Sequence, residues 1–251
     1  MSKEQLSLSR RIENAAASQE VENVKAMHTY YHGRSDATSE WSQIWSRSDD
    51  CSWAHAFGRM RGFDQVWYGS VTSYDIMAMQ NYIDVVDKYP EVGGKDPRPL
   101  SEASVHTLVT DVVEVAEDGQ SARASFITPG VIHSVLTGME KKYCNVLWER
   151  YGSDFVLEDG EWKYLHEHVC PDILTRLDAL NWAADDYERL TNPDRGAAPP
   201  PTLGAPPVSD PGPMHKPYST LQEVQNTVPW PEPYKTLDNG NTYTPFVRDK
   251  Q

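Results

Sequence analysis

The chain has 251 residues, a hydrophobic content of 39% and a formal charge of -14 at pH 7. This length suffices to bury one sizeable core. The acidic excess disfavours nucleic acid and anionic membranes as partners, because both are bound largely through Lys and Arg. The sequence contains neither an apolar run of roughly 18 residues nor the apolar segment of a signal peptide at its start. We therefore expect a cytoplasmic protein with no membrane partner and no nucleic-acid partner.

The three cysteines, Cys51, Cys144 and Cys170, are widely spaced and form no CxxC pair. Their number and spacing favour neither a disulfide framework nor a zinc knuckle. The motifs GxGxxG, GxxxxGK[ST], GxSxG and HExxH are also missing, so the local devices for dinucleotides, nucleoside phosphates, serine hydrolysis and zinc proteolysis are lacking. We therefore expect chemistry that uses no metal and no organic cofactor.

The first half of the chain predicts helices around a short strand. Apolar residues at helical spacing predict one long amphipathic helix over Leu6–His32, ending at Gly33. A second helix is predicted near residues 39–48. Alternation over Cys51–Phe57 predicts a half-buried strand that is followed by a glycine-bracketed turn. Helical spacing then returns over residues 63–89.

The second half of the chain predicts an antiparallel meander. Strand patterns follow one another with turn signals between neighbours, at residues 105–115, 122–127, 142–151 and 162–168. A helix over 175–190 then closes the folded domain, which we assign to residues 1–192. Helices followed by a meander of this kind indicate a domain of the α+β class.

Proline dominates the end of the chain. Of the 18 prolines, 13 lie between Pro193 and Pro245, which excludes a helix or a central strand there. The stretch also carries more aromatic residues than a solvated linker needs, namely Trp230, Tyr234, Tyr243 and Phe246. We therefore expect residues 193–251 to form an extended tail that packs on the domain or on a neighbouring subunit, and we expect a homo-oligomer, a dimer or a trimer.

Three side chains together suggest general acid–base catalysis. Asp36 follows a helix end, where an aspartate usually serves as a cap or a turn residue. His106 shares a strand face with Leu108, and a lone histidine in that position is usually a core residue. With Tyr31, however, they supply a carboxylate, an imidazole and a phenol, which are the groups that an acid–base pocket needs.

These residues also carry a family resemblance. The run from Tyr31 to Asp36 resembles the Tyr-x4-Asp motif at the end of the first helix in SnoaL-like dehydratases, and residues 105–107 resemble their strand histidine. Residues 57–62 resemble the Gly-x-x-x-Gly hairpin of the same NTF2-like superfamily. The resemblance implies an NTF2-like cone, in which a curved antiparallel sheet wraps around the long N-terminal helix and further helices. It also implies that Asp36, His106 and Tyr31 point into this cone as catalytic groups.

Within that superfamily, the chain length, the insertion at residues 70–100 and the Pro-aromatic tail are most similar to the lignin-dimer diarylpropane lyases. This resemblance implies a cofactor-independent elimination of water and formaldehyde from a phenolic diarylpropanediol, through a quinone methide, to give a stilbene. The partner would be a small phenolic aromatic substrate. Two alternatives stay open: a dehydratase or isomerase of a polyketide or steroid, and a cone that binds a small molecule without turnover.

A second set of side chains is expected to bind the substrate. Aromatic residues usually form core and arginines are usually solvated, but in a cone the former make a slot for aryl rings and the latter stabilise a phenolate. The set comprises Arg59, Arg61, Trp53, Phe57, Trp148, Arg150 and Tyr143.

The remaining histidines carry weaker signals. His166 and His168 share a strand face on either side of Glu167, but spacing places no third metal ligand beside them, so we interpret them as structural or rim residues. His28, His32 and His55 are weaker candidates for the site than His106.

Overall fold

The computed structural model describes residues 7–34, 36–55, 58–72, 83, 86–87, 89–94, 102–135, 142–176, 210–211, 215, 218, 223, 228–238 and 241–243. Within these ranges the α-helices are α1 (Leu8–Gly33), α2 (Ala37–Gln43) and α3 (Phe63–Trp67). A π-helical turn over Tyr68–Thr72 extends α3, and a 3-10 turn covers Pro90–Val92. The strands are β1 (Ser52–His55), β2 (Gly58–Arg61), β3 (Glu102–His106), β4 (Val109–Val115), β5 (Ser121–Val135), β6 (Lys142–Glu158), β7 (Glu161–Arg176) and β8 (Asp210–Pro211).

The long helix predicted at the start of the chain is confirmed as α1. The Ser7 hydroxyl accepts the Arg10 N–H and caps the helix, and the buried face includes Val21, Lys25 and His28. The last turn closes when the Arg34 N–H donates to the Tyr31 carbonyl. Local periodicity and local caps decide this element, which explains why the sequence alone predicts it.

The second helix starts earlier and is shorter than the predicted 39–48. Asp36 caps α2, which therefore begins at Ala37. The chain leaves the helix after Gln43 because Trp45 and Ser46 join the sheet. Trp45 forms a parallel bridge with Tyr164, and the Ser46 N–H donates to the Tyr164 carbonyl at 2.8 Å.

The strands form one eight-stranded sheet with the order β3-β5-β6-β7-β1-β2-β8, and β4 also pairs with β5. The predicted antiparallel meander is confirmed, since β5 pairs with β6 and β6 with β7, both antiparallel. Helix α1 packs against β3 and β4 at one end of the sheet and against β7 further along, so the sheet curves around this helix. The predicted α+β fold, with a curved sheet around a long N-terminal helix, is confirmed.

Two details of the meander differ from the prediction. The predicted strand 105–115 is two strands, β3 and β4, which break at Thr107 and Leu108 and pair with successive parts of β5. The predicted helix 175–190 does not begin at Thr175, because this residue still belongs to β7 and pairs with Val146. The rest of that predicted helix, 177–190, lies outside the described residues.

The core lies between the helices and one face of the sheet, which we call the inner face. Trp41 stacks on Trp45 with ring centroids 3.9 Å apart, and Trp45 stacks on Tyr164 at 5.1 Å. Phe126 and Tyr151 stack at 5.1 Å on neighbouring strands. Such pairs each contribute about 0.5–1.5 kcal/mol beyond the burial of their area. The core therefore makes the inner face rigid beside any polar group that lies on it.

The opposite face of the sheet, which we call the outer face, contacts parts of the predicted tail. Tyr234 and Tyr243 are buried, whereas Trp230 is 68% exposed. Tyr243 lies directly over Gly152 of β6, where a Cβ would come within 2.6 Å of its Cδ1 atom. Phe246 lies outside the described residues, and the domain boundary at residue 193 stays a prediction. No helix in the described ranges combines the length and apolarity that a membrane crossing requires.

Candidate active site

Polar side chains gather on the inner face of the sheet, beside α1. They come from α1, α2, β1, β3, β6 and β7, so they are brought together only by the fold. Most of them are buried, and His32 and His55 are half-buried. We call them the polar cluster: His28, His32, Glu40, His55, His106, Glu149, Tyr151 and Glu167.

The helical side of the polar cluster is built around Glu40. His28 and His32 lie one turn apart on α1, and their rings stack with centroids 5.5 Å apart. The Glu40 Oε1 atom lies 2.6 Å from His28 Nδ1, and its Oε2 atom lies 3.8 Å from His32 Nδ1. Glu40 therefore bridges the two imidazoles from the neighbouring helix.

The contact between His28 and Glu40 is a buried ion pair. Burial by itself disfavours both charges, but the negative charges of Glu40 and Glu167 outweigh it and raise the pKa of His28 to about 9. Burial would likewise raise the pKa of Glu40, yet the charge and hydrogen bond of His28 hold it at about 2. Breaking one partner of such a pair leaves an uncompensated buried charge, which is strongly destabilising.

His106 faces these two imidazoles from β3. Its ring centroid lies 4.7 Å from that of His32 and 6.2 Å from that of His28. Gly130 of β5 allows this packing, because a Cβ there would come within 2.3 Å of the His106 Cβ. Within the described part of the chain neither ring nitrogen of His106 has a hydrogen-bond partner. Burial, helped by the charges of His32 and His28, lowers the pKa of His106 to about 2, so this imidazole stays neutral.

The sheet side of the polar cluster holds two carboxyl groups. The Tyr151 hydroxyl donates to Glu149 Oε2 at 2.9 Å, and His55 Nε2 lies 3.9 Å from Glu149 Oε1. The Trp53 indole N–H donates to Glu167 Oε2 at 3.2 Å. Glu167 Oε1 is buried and makes no hydrogen bond to any residue that the structure describes.

Burial raises the pKa of Glu149 to about 7 and the pKa of Glu167 to about 7, and the two carboxylates also repel each other. At neutral pH such a pair supplies one protonated and one ionised carboxyl group. A protonated group donates a proton and an ionised one accepts it, which is the requirement of general acid–base catalysis. The arrangement can therefore perform proton transfer without any further group.

The Asp36 N–H donates to the Tyr31 carbonyl at 2.9 Å, but no described side-chain contact joins the three predicted catalytic residues. The Asp36 carboxylate accepts the Ser39 N–H at 3.2 Å and caps α2. The Tyr31 hydroxyl donates to the Gln43 side chain at 2.7 Å. Only His106 belongs to the polar cluster, and among the described contacts none joins it to Tyr31 or Asp36. The catalytic role of Asp36 and Tyr31 stays a prediction.

Of the predicted substrate-binding residues on β1 and β2, Trp53 reaches the polar cluster through Glu167. Arg59 is fully buried, but it alternates with the core residue Met60 and so lies towards the outer face. Arg61 is exposed at the end of β2. Phe57 lies outside the described residues.

Of those on β6, Arg150 lies on the face opposite the polar cluster. Arg150 alternates with Glu149 and Tyr151, and it donates two hydrogen bonds to Asp172, at 2.7 and 2.9 Å. Trp148 lies two residues from Arg150 and is 44% exposed. Tyr143 pairs with Ser134 on β5 in the strand register.

Sequence reasoning missed the carboxyl groups of the polar cluster. Strand alternation already separates Glu167 from His166 and His168, and it groups Glu149 with Tyr151. Helical spacing likewise places His28 and His32 on one face. These signals show which residues share a face of a strand or helix, but they do not show which face points to the core. The sequence alone therefore does not predict that these residues lie together in one cluster.

Comparison with known proteins gives similarity of fold. No protein-family model matches the chain, and no curated protein matches its sequence. Among solved structures, it is similar to an NTF2-like superfamily protein from Salmonella enterica serovar Typhimurium, with 16% identity, a TM-score of 0.43, and coverage of 62% of this chain and 90% of that chain.

Two further structures show the same level of similarity. A putative scytalone dehydratase from Novosphingobium aromaticivorans has 12% identity and a TM-score of 0.42, covering 66% of this chain and 90% of that chain. The hexachlorocyclohexane dehydrochlorinase LinA-type3 from Novosphingobium barchaimii has 16% identity and a TM-score of 0.42, covering 70% of this chain and 99% of that chain. Similarity at this level concerns the fold and identifies neither an activity nor a site.

Proposed function

We propose that the protein is a cofactor-independent lyase, which eliminates water and formaldehyde from a phenolic diarylpropanediol by general acid–base catalysis. The observation that carries the chemistry is the pair Glu149 and Glu167, two buried carboxyl groups whose pKa values burial raises to about 7. The substrate class comes from the resemblance of the sequence to the lignin-dimer lyases. The products are one stilbene, one water and one formaldehyde for each substrate.

The first step is the loss of the benzylic hydroxyl group. This group leaves as water only if an acid delivers a proton to it, and protonated Glu149 is the acid in our proposal. Tyr151 holds the Oε2 atom of Glu149 by a hydrogen bond of 2.9 Å, which fixes the direction of the carboxyl group. The para phenol releases its proton to water, and its electrons move through the ring to the benzylic carbon to form a quinone methide. The phenolate that the second step restores takes a proton back from water.

The second step is the cleavage of the carbon–carbon bond. Ionised Glu167 removes the proton of the neighbouring primary alcohol, and its Oε1 atom has no other partner within the described residues. The electrons of the broken bond form the double bond of the stilbene, and the quinone methide returns to a phenolate. The intermediate is its own electron sink, so neither pyridoxal nor flavin is needed.

The phenolate oxygen needs a donor on the inner face. In our proposal Tyr164 fills this role, because its hydroxyl is buried and makes no hydrogen bond to any described residue. Burial raises the pKa of Tyr164 well above its ordinary value, so the hydroxyl keeps its proton and can donate it. Trp53, which already contacts Glu167, would line the position of an aryl ring.

The test is incubation of the purified, chelator-treated protein with a para-hydroxylated diarylpropanediol and, separately, with its para-methoxy analogue. We expect stilbene and formaldehyde in equal amounts from the phenol and neither from the ether, because the ether cannot form a quinone methide. Dehydration without formaldehyde would support the dehydratase alternative instead. Recovery of unchanged, bound phenol would support the binding protein, and turnover only after addition of a metal would refute the cofactor-independent mechanism.

A further inference from the structure

The helical side of the polar cluster has the composition of a metal centre. His28, His32 and Glu40 each present a donor atom, and these atoms all lie within 4.8 Å of one another. Two imidazoles and one carboxylate form the protein ligand set of several zinc enzymes and of non-haem iron sites. Two histidines one helical turn apart, with the acid from a second element, bring this set to one point in space.

A further donor lies beside these three side chains. His106 is 5% exposed, its ring lies 4.7 Å from that of His32, and neither of its nitrogens bonds to a described residue. Buried polar atoms normally have partners, so nitrogens in this condition indicate a site built for an additional group.

The surrounding charges favour a cation. Glu149 and Glu167 both lie within electrostatic reach of His28 and His32. With Glu40, three carboxyl groups therefore lie near the two imidazoles, and a divalent ion would offset the negative charge of those that are ionised. His32 is the least buried of the three side chains, and its Nδ1 atom lies 3.8 Å from Glu40 Oε2.

We propose that His28, His32 and Glu40, with His106 beside them, bind a divalent transition-metal ion that prefers imidazole ligands, such as Zn²⁺ or Co²⁺. The ion takes the place of the hydrogen bond between His28 and Glu40. This inference does not rest on the lyase activity, since it concerns binding of the ion alone and needs no substrate.

The test is titration of the full-length, chelator-treated protein with Co²⁺ and then with Zn²⁺. We expect one ion for each chain, a visible absorption band of the Co²⁺ form, and loss of that band when Zn²⁺ is added. His32→Ala, Glu40→Gln and His106→Phe should each weaken binding at least tenfold. His32→Ala is the safest of these variants, because this side chain is half-buried and its removal leaves the His28–Glu40 pair intact.

The matched control is His168→Gln. His168 is another buried histidine, and its Nε2 atom bonds to no described residue. It pairs with Gly152 in the strand register and does not belong to the group of His28, His32 and Glu40. Its replacement should leave the affinity unchanged, and circular dichroism should show that every variant is folded. Equal loss in His168→Gln and His32→Ala, or no saturable binding by the folded wild-type protein, would overturn the proposal.

Discussion

The two faces of the same sheet bury carboxyl groups in opposite ways. On the inner face, Glu167 accepts one hydrogen bond, from Trp53, and its other oxygen has no partner among the described residues. On the outer face, Asp154 Oδ2 accepts the Tyr243 N–H at 2.9 Å and contacts His166 Nδ1 at 2.9 Å and the Thr242 hydroxyl. Its Oδ1 atom makes no hydrogen bond to a described residue, but it lies 3.5 Å from Arg123 Nε.

This difference assigns a structural role to the carboxyl group on the outer face and a chemical role to those on the inner face. Asp154 contacts groups from the sheet and from the end of the chain, so it ties these two parts together. Arg123 also lies 4.2 Å from the ring centroid of Tyr243, which strengthens the same junction. Glu149 and Glu167 each accept a single hydrogen bond instead, and burial raises their pKa values to about 7, so they can exchange a proton near neutral pH. Substitutions on the two faces should therefore have opposite consequences.

The largest expected effect is on turnover by the inner face. Glu167→Gln keeps the shape and the bond from Trp53 but removes the base, so turnover should fall by roughly two to four orders of magnitude. Binding of the substrate should be retained, and the melting temperature should not fall. Single-turnover kinetics and a thermal scan check both statements. Turnover within a few-fold of wild type would move the base to another group.

The next effect is on stability, from the outer face. Asp154→Asn removes the charge that His166 and the end of the chain bind, so the free energy of unfolding should fall by about 2–4 kcal/mol. Turnover of the folded fraction should change little, because Asp154 does not reach the polar cluster. Urea unfolding and a rate normalised to the folded fraction provide the measurement. An unchanged urea midpoint would mean that this junction does not hold the tail.

The inner face should also leave a signature in the pH dependence of stability. Folding raises the pKa values of Glu149 and Glu167 to about 7, so both groups are neutral in the folded chain while they ionise in the unfolded chain above about pH 4.5. Their contribution is complete below that pH and is lost as the pH rises to about 7.

A double variant, Glu149→Gln with Glu167→Gln, isolates the contribution of the two carboxyl groups to the pH dependence of stability. All histidines are retained, so the variant and the wild type differ only in these two groups. Its stability relative to wild type should increase between pH 4.5 and 7 and then level off, with a total on the order of 2–3 kcal/mol per carboxyl group. Melting curves at several pH values measure the difference. A constant difference across the window would show that neither pKa is raised by folding.

The smallest effect is expected at the start of α2. Asn caps a helix about as well as Asp, so Asp36→Asn should leave both turnover and stability nearly unchanged, whereas Asp36→Ala should cost about 1 kcal/mol. The hypothesis that Asp36 is the catalytic acid instead predicts a loss of turnover of at least a hundredfold in Asp36→Asn. Initial rates and melting temperatures of the two variants separate these explanations.

The sequence predicts those parts of the fold that depend on local periodicity, and it fails where burial depends on distant segments. Strand alternation on β6 places Arg150 and Glu149 on opposite faces. Because Arg150 shares its face with apolar residues, the sequence favours that face as the one that points to the core. That side is the outer face, and Val228 and Tyr243 from the end of the chain cover Cys170 next to it. A proline-rich segment without periodicity gives no signal of where it docks.

The sequence predicts the candidate site only in part, for a related reason. Asp36 and Tyr31 satisfy a short local motif, yet local hydrogen bonds to Ser39 and Gln43 occupy both side chains. The polar cluster instead draws on residues from six elements, and their proximity follows from the curvature of the sheet around α1. His106 is the one predicted catalytic residue that the fold brings to this cluster.

The most direct test of the central claim compares Glu149→Gln with Asp154→Asn, two substitutions of a buried acid on opposite faces of β6. Formaldehyde and stilbene released from the phenolic diarylpropanediol are measured at pH 7 and normalised to the folded fraction. We predict that Glu149→Gln loses at least a hundredfold in turnover, whereas Asp154→Asn stays within a few-fold of wild type. Equal rates in the two variants, or a greater loss in Asp154→Asn, would contradict the assignment of the chemistry to the inner face.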